Sequence, residues 1–292
     1  MAKAKTNGIE IEYDTFGDRT SPPILLIMGL GGQMIAWEED FCKQLVNKGF
    51  YVTRFDNRDI GLSTKIEEAG VPDIMEALTA SMQGKKVQSF YSLDDMANDA
   101  IGLLDTLGIK KAHICGASMG AAITQVIGYS HPSRVLSLIT IMGSTGNPKL
   151  PLAKPEAMQF LMTPAPVERE AFIEHGIKMW KVLNASFPFD EADTRKRMAA
   201  SYDRSFYPQG IARQLMAIMA NGNRKPRLAS VTAPTLVIHG AEDPLVPVEG
   251  GKDTAEAIPG ARLLIIDKMG HSLPKEAWPQ IVGAIADHTG KV

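Results

Sequence analysis

Residues 116–120 read Gly116-Ala117-Ser118-Met119-Gly120, and this G-x-S-x-G pattern decides the fold class of the chain. A short β-type run at residues 112–115 precedes the pentapeptide, and an apolar stretch with helical spacing follows it. A residue on such a sharp strand-to-helix turn has a strained backbone, and the flanking glycines leave room for the neighbouring strand and helix. The pattern therefore predicts that Ser118 projects alone into a pocket as a nucleophile.

Short apolar strands alternate with helical patterns on both sides of this turn. The sequence predicts strands at 9–13, 24–28, 52–55, 112–115, 134–142, 235–239 and 262–267, and helices at 37–48, at 92–107 and around Trp278. The second helix begins at Ser92-Leu93-Asp94-Asp95, which resembles a capping box. Alternation of this kind predicts an α/β fold with a mostly parallel, doubly wound sheet.

The alternation stops between residues 147 and 230. Prolines cluster at the start of this region, and several helical patterns follow without a convincing strand. We therefore expect a helical cap at 147–230, inserted into a core formed by 1–146 and 231–292. One face of a cap helix carries apolar residues that pack in the core or line an adaptable apolar pocket: Ile211, Leu215, Ile218 and Met219.

Composition limits the classes of partner. The chain has 292 residues, a formal net charge of −2 and no long block of one charge, which argues against a nucleic-acid partner. No apolar segment has the length of a membrane span or the pattern of a secretory signal, and only two cysteines occur, so we expect a cytoplasmic protein. Metal-ligand and phosphate-loop motifs are absent from the sequence, so we expect no metal and no cofactor. The sequence leaves the oligomeric state open.

A serine hydroxyl needs a base within hydrogen-bond reach to act as a nucleophile at neutral pH. His271 is the best of six histidines, because its loop follows the last predicted strand and can reach over the sheet edge. His239 ends a predicted strand but lies close to the expected acid. The remaining histidines are expected to be structural or solvated: His113, His131, His175 and His288.

The base needs a carboxylate that holds its tautomer, and Asp243 is the expected acid. It lies at the tip of a loop after the preceding predicted strand, where Pro244 fixes the turn. Glu242 and Asp267 are the competitors. The chain order Ser118, Asp243, His271 is the order typical of the α/β-hydrolase fold.

Two backbone amides are expected to stabilise the oxyanion that forms when a serine attacks a carbonyl group. Met119 follows the nucleophile at the first turn of a helix, so its N–H and the positive end of the helix dipole face the reacting oxygen. The second N–H is assigned to Leu30, in the glycine-rich turn after the strand at 24–28.

With these residues in place, the chain resembles the α/β-hydrolase superfamily over nearly its whole length. Three stretches resemble the carboxylesterase branch that contains aclacinomycin methylesterase: Met28-Gly29-Leu30-Gly31, Phe55-Asp56-Asn57-Arg58-Asp59-Ile60-Gly61-Leu62-Ser63 and the pentapeptide around Ser118. The resemblance implies a serine esterase that resolves its acyl-enzyme with water and needs no metal. It places the triad on Ser118, Asp243 and His271 and the oxyanion donors on Leu30 and Met119.

The predicted function is cleavage of small to medium, largely apolar carboxylic esters. The same triad supports lactone opening, perhydrolysis or carbon–carbon bond hydrolysis, and a non-catalytic ligand receptor on this fold is a third hypothesis. Arg58 is expected to form a structural ion pair with Asp56 or Asp59, with substrate contact as the alternative.

Overall fold

An eight-stranded sheet forms the centre of the protein, in a computed structural model that describes residues 1–83 and 85–290. The strands are β1 (Ala2–Thr6), β2 (Ile9–Phe16), β3 (Pro23–Ile27), β4 (Tyr51–Phe55), β5 (Ala112–Ala117), β6 (Val135–Ile141), β7 (Thr235–Gly240) and β8 (Arg262–Ile266). Their order across the sheet is β1-β2-β4-β3-β5-β6-β7-β8. The pairs β1–β2 and β2–β4 are antiparallel, and all the others are parallel. The prediction of a mostly parallel sheet is confirmed, although the sequence pattern did not indicate β1.

Helices cover both faces of this sheet. The helices of the described residues are α1 (Glu39–Asn47), α2 (Ile74–Met82), α3 (Leu93–Thr106), α4 (Met119–Ser130), α5 (Pro155–Met162), α6 (Arg169–Leu183), α7 (Glu191–Arg204), α8 (Pro208–Asn221), α9 (Lys225–Leu228), α10 (Glu249–Ala257) and α11 (Trp278–Thr289). Leu104 of α3 and Ile123 of α4 belong to one buried apolar cluster, and Phe41 of α1 and Ile281 of α11 belong to another. The sheet is therefore doubly wound. In the part of the chain that the structure describes, no helix combines the length and apolar character needed to cross a membrane.

Local sequence signals account for the start of α3. The Ser92 hydroxyl accepts a hydrogen bond from the Asp95 N–H at 3.1 Å, and the Asp95 carboxylate accepts one from the Ser92 N–H at 2.8 Å. This reciprocal pair satisfies two backbone donors that a helix start otherwise leaves unpaired. The predicted capping box is therefore present.

Five helices, α5 to α9, occupy the chain between β6 and β7. The residues that α8 buries most deeply include Gly210, Arg213, Gln214 and Ala217, which recur at helical spacing. The apolar residues singled out in the sequence, such as Ile211 and Leu215, are only half-buried. The innermost face of α8 is thus partly polar, and two of its long side chains bond to the core.

Burial differs sharply between the central and the edge strands, and this predicts different costs for the same substitution. Ile139 on β6 is fully buried, whereas Ile265 on the edge strand β8 is 39% exposed. We expect Ile139→Ala to lower the free energy of unfolding by about 2–5 kcal/mol, because it leaves a cavity in the core. We expect Ile265→Ala to cost about 1 kcal/mol or less. Urea unfolding measures both, and equal costs would contradict this account of the core.

His113 is a buried histidine on β5. Its Nδ1 lies 2.8 Å from the Ser137 hydroxyl on β6, and its ring meets the Phe50 ring edge to face at 5.9 Å. Burial, with a smaller contribution from the nearby His288, lowers the pKa of His113 to about 4. The folded protein therefore keeps this ring neutral at a pH where the unfolded chain protonates it.

Because the folded pKa of His113 is the lower one, its contribution to stability is complete above the unfolded pKa of about 6.5 and is lost as the pH falls towards 4. We expect the wild-type free energy of unfolding to decrease more steeply over this range than that of His113→Gln. Urea unfolding at several pH values measures the slopes. Ile265→Ala, which changes no titratable group, should keep the wild-type slope, and parallel profiles for wild type and His113→Gln would contradict the assignment.

Candidate active site

Ser118 occupies a sterically constrained turn between β5 and α4. Its backbone angles are φ +56° and ψ −116°, in a region that side-chain-bearing residues rarely adopt. A Cβ at Gly116 would lie 2.0 Å from the Gly120 carbonyl oxygen, and a Cβ at Gly120 would lie 2.1 Å from the Ile27 carbonyl oxygen. Both positions therefore require glycine, as the pentapeptide predicted.

The loop after β8 brings His271 to the serine. The His271 Nε2 atom lies 2.9 Å from Ser118 Oγ, although 153 positions separate the two residues in the sequence. The backbone N–H of His271 donates to the Leu183 carbonyl oxygen at 2.7 Å, at the C-terminus of α6. Next to it, the Ser272 hydroxyl donates to Asn184 Oδ1 at 2.9 Å. The loop that carries the imidazole is thus held at the C-terminal end of α6.

The loop after β7 brings Asp243 to the other nitrogen of the imidazole. Asp243 Oδ2 lies 2.7 Å from His271 Nδ1, and Asp243 Oδ1 accepts the N–H groups of Leu245 at 2.9 Å and Val246 at 2.8 Å. Burial raises the pKa of this carboxyl group, but the adjacent His271 and hydrogen bonds from His239 and His271 outweigh it, so the net pKa lies well below the ordinary value. Asp243 is therefore ionised at neutral pH.

The charge state of Asp243 fixes the tautomer of His271. A carboxylate can only accept hydrogen bonds, so Nδ1 carries the imidazole proton and donates it to Asp243. In the neutral ring, the Nε2 lone pair then faces the Ser118 hydroxyl. The arrangement has the chemistry of nucleophilic catalysis, because the serine proton can pass to Nε2 as the oxygen attacks.

The competing acids lie elsewhere. Glu242 bonds through its carboxylate to the Ser186 hydroxyl, and its backbone N–H donates to the Met269 carbonyl oxygen at 3.0 Å. Asp267 is exposed at the end of β8. The geometry therefore unites Ser118 with Asp243 and His271, and with neither competitor.

His239 supports the acid loop. It is fully buried, and its Nε2 atom lies 2.8 Å from the Val246 carbonyl oxygen and 3.5 Å from Asp243 Oδ2. Because a carbonyl oxygen only accepts, Nε2 carries the proton in this contact. His239 lies near the acid in the sequence, but its position there does not indicate this contact.

The other histidines form their contacts away from Ser118, Asp243 and His271. The His131 ring bonds to Asn98 Oδ1 at 2.9 Å, and the His175 ring packs edge to face on Phe160 at 5.4 Å. His113 contacts Ser137, as described above, and His288 lies in α11.

The turn after β3, residues 29–32, lies against the serine. A Cβ at Gly29 would be 3.0 Å from Ser118 Cβ, which shows how closely the turn approaches. The Gly32 N–H donates to the Gly29 carbonyl oxygen at 3.1 Å, and the Asn57 side chain donates to the Met28 carbonyl oxygen at 3.0 Å. In the described part of the chain, the N–H groups of Leu30 and Met119 have no hydrogen-bond acceptor. Both N–H groups are thus available as hydrogen-bond donors.

Two ion pairs with buried carboxylates tie α7 and α8 to the loop after β4. Arg204, at the end of α7, lies 2.7 Å from Asp56, and Arg213 on α8 holds Asp59 through two hydrogen bonds of 2.9 and 2.8 Å. The Arg58 side chain also forms an ion pair within the protein, but the prediction that its partner is Asp56 or Asp59 was wrong. It pairs with Asp99 on α3 through two bonds of 2.6 and 2.7 Å, because Arg204 and Arg213 occupy the two expected carboxylates.

The described residues, 1–83 and 85–290, contain no group of three or more histidine, cysteine, aspartate or glutamate side chains arranged to hold a metal ion.

Comparison with curated proteins shows similarity to two rhodomycin D methylesterases. DauP from Streptomyces sp. (strain C5) is 29% identical, over 94% of this chain and 92% of its own length. DnrP from Streptomyces peucetius is 30% identical over the same shares of the two chains.

Among solved structures, a meta-cleavage product hydrolase from Pseudomonas fluorescens IP01 matches 100% of this chain and 98% of its own, with a TM-score of 0.76 and 19% identity. At that identity the likeness concerns the fold alone. A family model described as the alpha/beta hydrolase fold matches residues 22–277. That range includes the serine turn, the acid loop and the histidine loop, and we conclude that the chain belongs to the α/β hydrolase fold family.

Proposed function

We propose that this protein is a carboxylesterase that cleaves small to medium, largely apolar carboxylic esters. The observation that carries the proposal is the continuous hydrogen-bonded chain from Ser118 Oγ to His271 Nε2, at 2.9 Å, and from His271 Nδ1 to Asp243, at 2.7 Å. The two methylesterases that align over more than nine-tenths of the chain support cleavage of an ester. Ser118, Asp243 and His271 are then the catalytic residues.

In the proposed first half of the cycle, Ser118 Oγ attacks the ester carbonyl carbon while His271 Nε2 takes the hydroxyl proton. Negative charge develops on the former carbonyl oxygen, next to the free N–H groups of Leu30 and Met119. Asp243 stabilises the imidazolium ion that forms. His271 then gives its proton to the leaving alcohol, and an acyl group remains on Ser118.

Water completes the cycle by the same route. His271 takes a proton from water, the hydroxyl oxygen attacks the acyl carbon, and a second oxyanion forms beside Leu30 and Met119. Collapse of this intermediate releases the carboxylic acid and returns the proton to Ser118. The proposed cycle uses only groups of the protein, the ester and one water molecule.

We also propose that residues 147–230 form a cap over a core made of 1–146 and 231–292. The five helices between β6 and β7 support this division. Two of them contact loops of the site, since the end of α6 binds the His271 loop and Ile211 of α8 packs on Gly31. Half-buried apolar residues of α8 then line the pocket for the ester.

We further propose a cytoplasmic location, which agrees with the two free, buried cysteines, Cys42 and Cys115.

The ester reaction is tested with p-nitrophenyl esters from acetate to laurate. We expect the wild type to hydrolyse them, with an optimum chain length set by the pocket, and Ser118→Ala to reduce turnover at least about 10⁴-fold because the nucleophile is lost. Ser230→Ala, at an exposed serine, is the control. Absence of ester turnover, with activity on lactones or on carbon–carbon bonds, would overturn the esterase assignment. Ligand binding without any turnover would indicate a receptor.

The choice of acid is tested by a pair of matched substitutions. Asp243→Asn removes the charge that holds the His271 tautomer, so we expect kcat to fall by about 10³- to 10⁴-fold. Asp267→Asn, the same change at the exposed carboxylate, should alter kcat less than about threefold. Steady-state kinetics on one ester measure both. A larger loss from Asp267→Asn than from Asp243→Asn would show that the acid is misassigned.

A further inference from the structure

Gln214 is a fully buried side chain on α8 that lies between two loops of the core. Its Oε1 atom accepts the Gly31 N–H at 3.0 Å, and its Nε2 atom donates to the Arg58 carbonyl oxygen at 2.9 Å. Only the amide oxygen can accept and only the amide nitrogen can donate, so a single orientation of the side chain satisfies both partners. Gln214 therefore connects the turn at 29–32 rigidly to the loop after β4.

The anchor at Arg58 is itself fixed. Its guanidinium group holds Asp99 on α3 through the two short bonds described above, and both side chains are buried. Buried ion pairs with two bonds restrict geometry more than a single hydrogen bond does. A continuous series of hydrogen bonds thus links α3 through Arg58 and Gln214 to Gly31.

Gly31 is the third residue of a β-turn, so its hydrogen bond to Gln214 affects the conformation of that turn. The bond from the Gly32 N–H to the Gly29 carbonyl oxygen, with φ +68° at Gly31, is the pattern of a type II β-turn. The central peptide of such a turn, between Leu30 and Gly31, has an alternative orientation in type I turns. Gln214 accepts from the N–H of this central peptide and so stabilises the type II form.

The turn geometry also aims the Leu30 N–H. The Gly29 carbonyl oxygen and the Leu30 N–H belong to one trans peptide, so they point in opposite directions. Because this oxygen accepts the Gly32 N–H inside the turn, the Leu30 N–H points outwards, on a turn that packs against Ser118. Type I and type II turns share the same φ at their second residue, so the Leu30 N–H keeps its direction within the turn. Through Gly31, Gln214 instead fixes the position of the whole turn against Ser118.

We propose that Gln214, a residue of the inserted helices, is a positioning residue that holds the Leu30 N–H in place for the oxyanion. The proposal rests on the esterase function proposed above. Its hydrogen bonds go to Gly31 and Arg58 and not to Ser118 or His271, so Gln214 acts through Gly31 and the turn. One helix of the cap then takes part in the geometry of catalysis as well as in enclosing the substrate.

Gln214→Met tests this role, because methionine has a similar length and volume but cannot make either hydrogen bond. An oxyanion donor acts mainly in the transition state, so we expect kcat and kcat/KM to fall by about ten- to a hundredfold while KM changes less than about threefold. The inhibition constant of an alkylboronic acid, which forms a tetrahedral adduct with a serine, should rise by a similar factor.

Gln125→Met is the matched control. Gln125 on α4 is also a fully buried glutamine, and its amide bonds to Arg224 at 2.9 Å and Thr254 at 3.5 Å instead of to the turn at 29–32. It should lower the free energy of unfolding, as Gln214→Met does, while kcat and the boronic acid inhibition constant stay within about threefold of the wild type. An equal kinetic loss in both variants would show that Gln214 is merely structural.

Gln214→Glu keeps the shape of the side chain and an acceptor for the Gly31 N–H, so it decides the question if Gln214→Met does not fold. If both variants fold, we expect Gln214→Glu to retain a higher kcat than Gln214→Met. If only Gln214→Glu folds, we expect its inhibition constant for the boronic acid to lie within about tenfold of the wild-type value. Unchanged kcat in Gln214→Met, or a loss above a hundredfold in Gln214→Glu, would overturn the proposal. Failure of the esterase function would instead appear as absent turnover in the wild type.

Discussion

The contact between Gly120 and the Ile27 carbonyl oxygen is the constraint on which the site depends. Any side chain at Gly120 would collide with the end of β3, so the first turn of α4 can pass directly beneath the turn at 29–32. That approach places the turn that carries Leu30 against Ser118, and Met119 follows the serine at the start of α4. The positive φ of Ser118 is the local strain that the surrounding strands maintain. The proposed nucleophile and the proposed oxyanion donors thus depend on one packing arrangement.

The parallel arrangement of the strands brings the loops of the site together. The loops that carry Ser118, Asp243 and His271 follow β5, β7 and β8, and the turn at 29–32 follows β3. The carboxyl ends of these parallel strands lie at one edge of the sheet, where such folds bind their ligands. The loops nevertheless need further support, which comes from α6 at the histidine loop and from α8 at the turn after β3.

Local signals in the sequence were sufficient for seven of the eight strands, the capping box of α3 and the glycine-bounded turn at Ser118, because periodicity and turn chemistry determine these features. The grouping of Ser118 with Asp243 and His271 followed from loop order. The Arg58–Asp99 pair and the role of Gln214 had no such signal, since a polar contact across 41 or 183 positions leaves no periodic pattern. On α8 the apolar spacing predicted an inward face with Ile211 and Leu215, whereas tertiary packing buries Arg213 and Gln214 more deeply.

The span of these contacts also has a meaning for synthesis on the ribosome. Residues 118, 243 and 271 must all be synthesised before the hydrogen-bonded chain can form, and the histidine partner of Ser118 follows it by 153 residues. A growing chain can pair β3, β4 and β5 early, but it cannot hold an ordered reaction centre until almost its last helix has emerged. A chain truncated before residue 271 therefore lacks the group to which the Ser118 hydroxyl bonds in the folded protein.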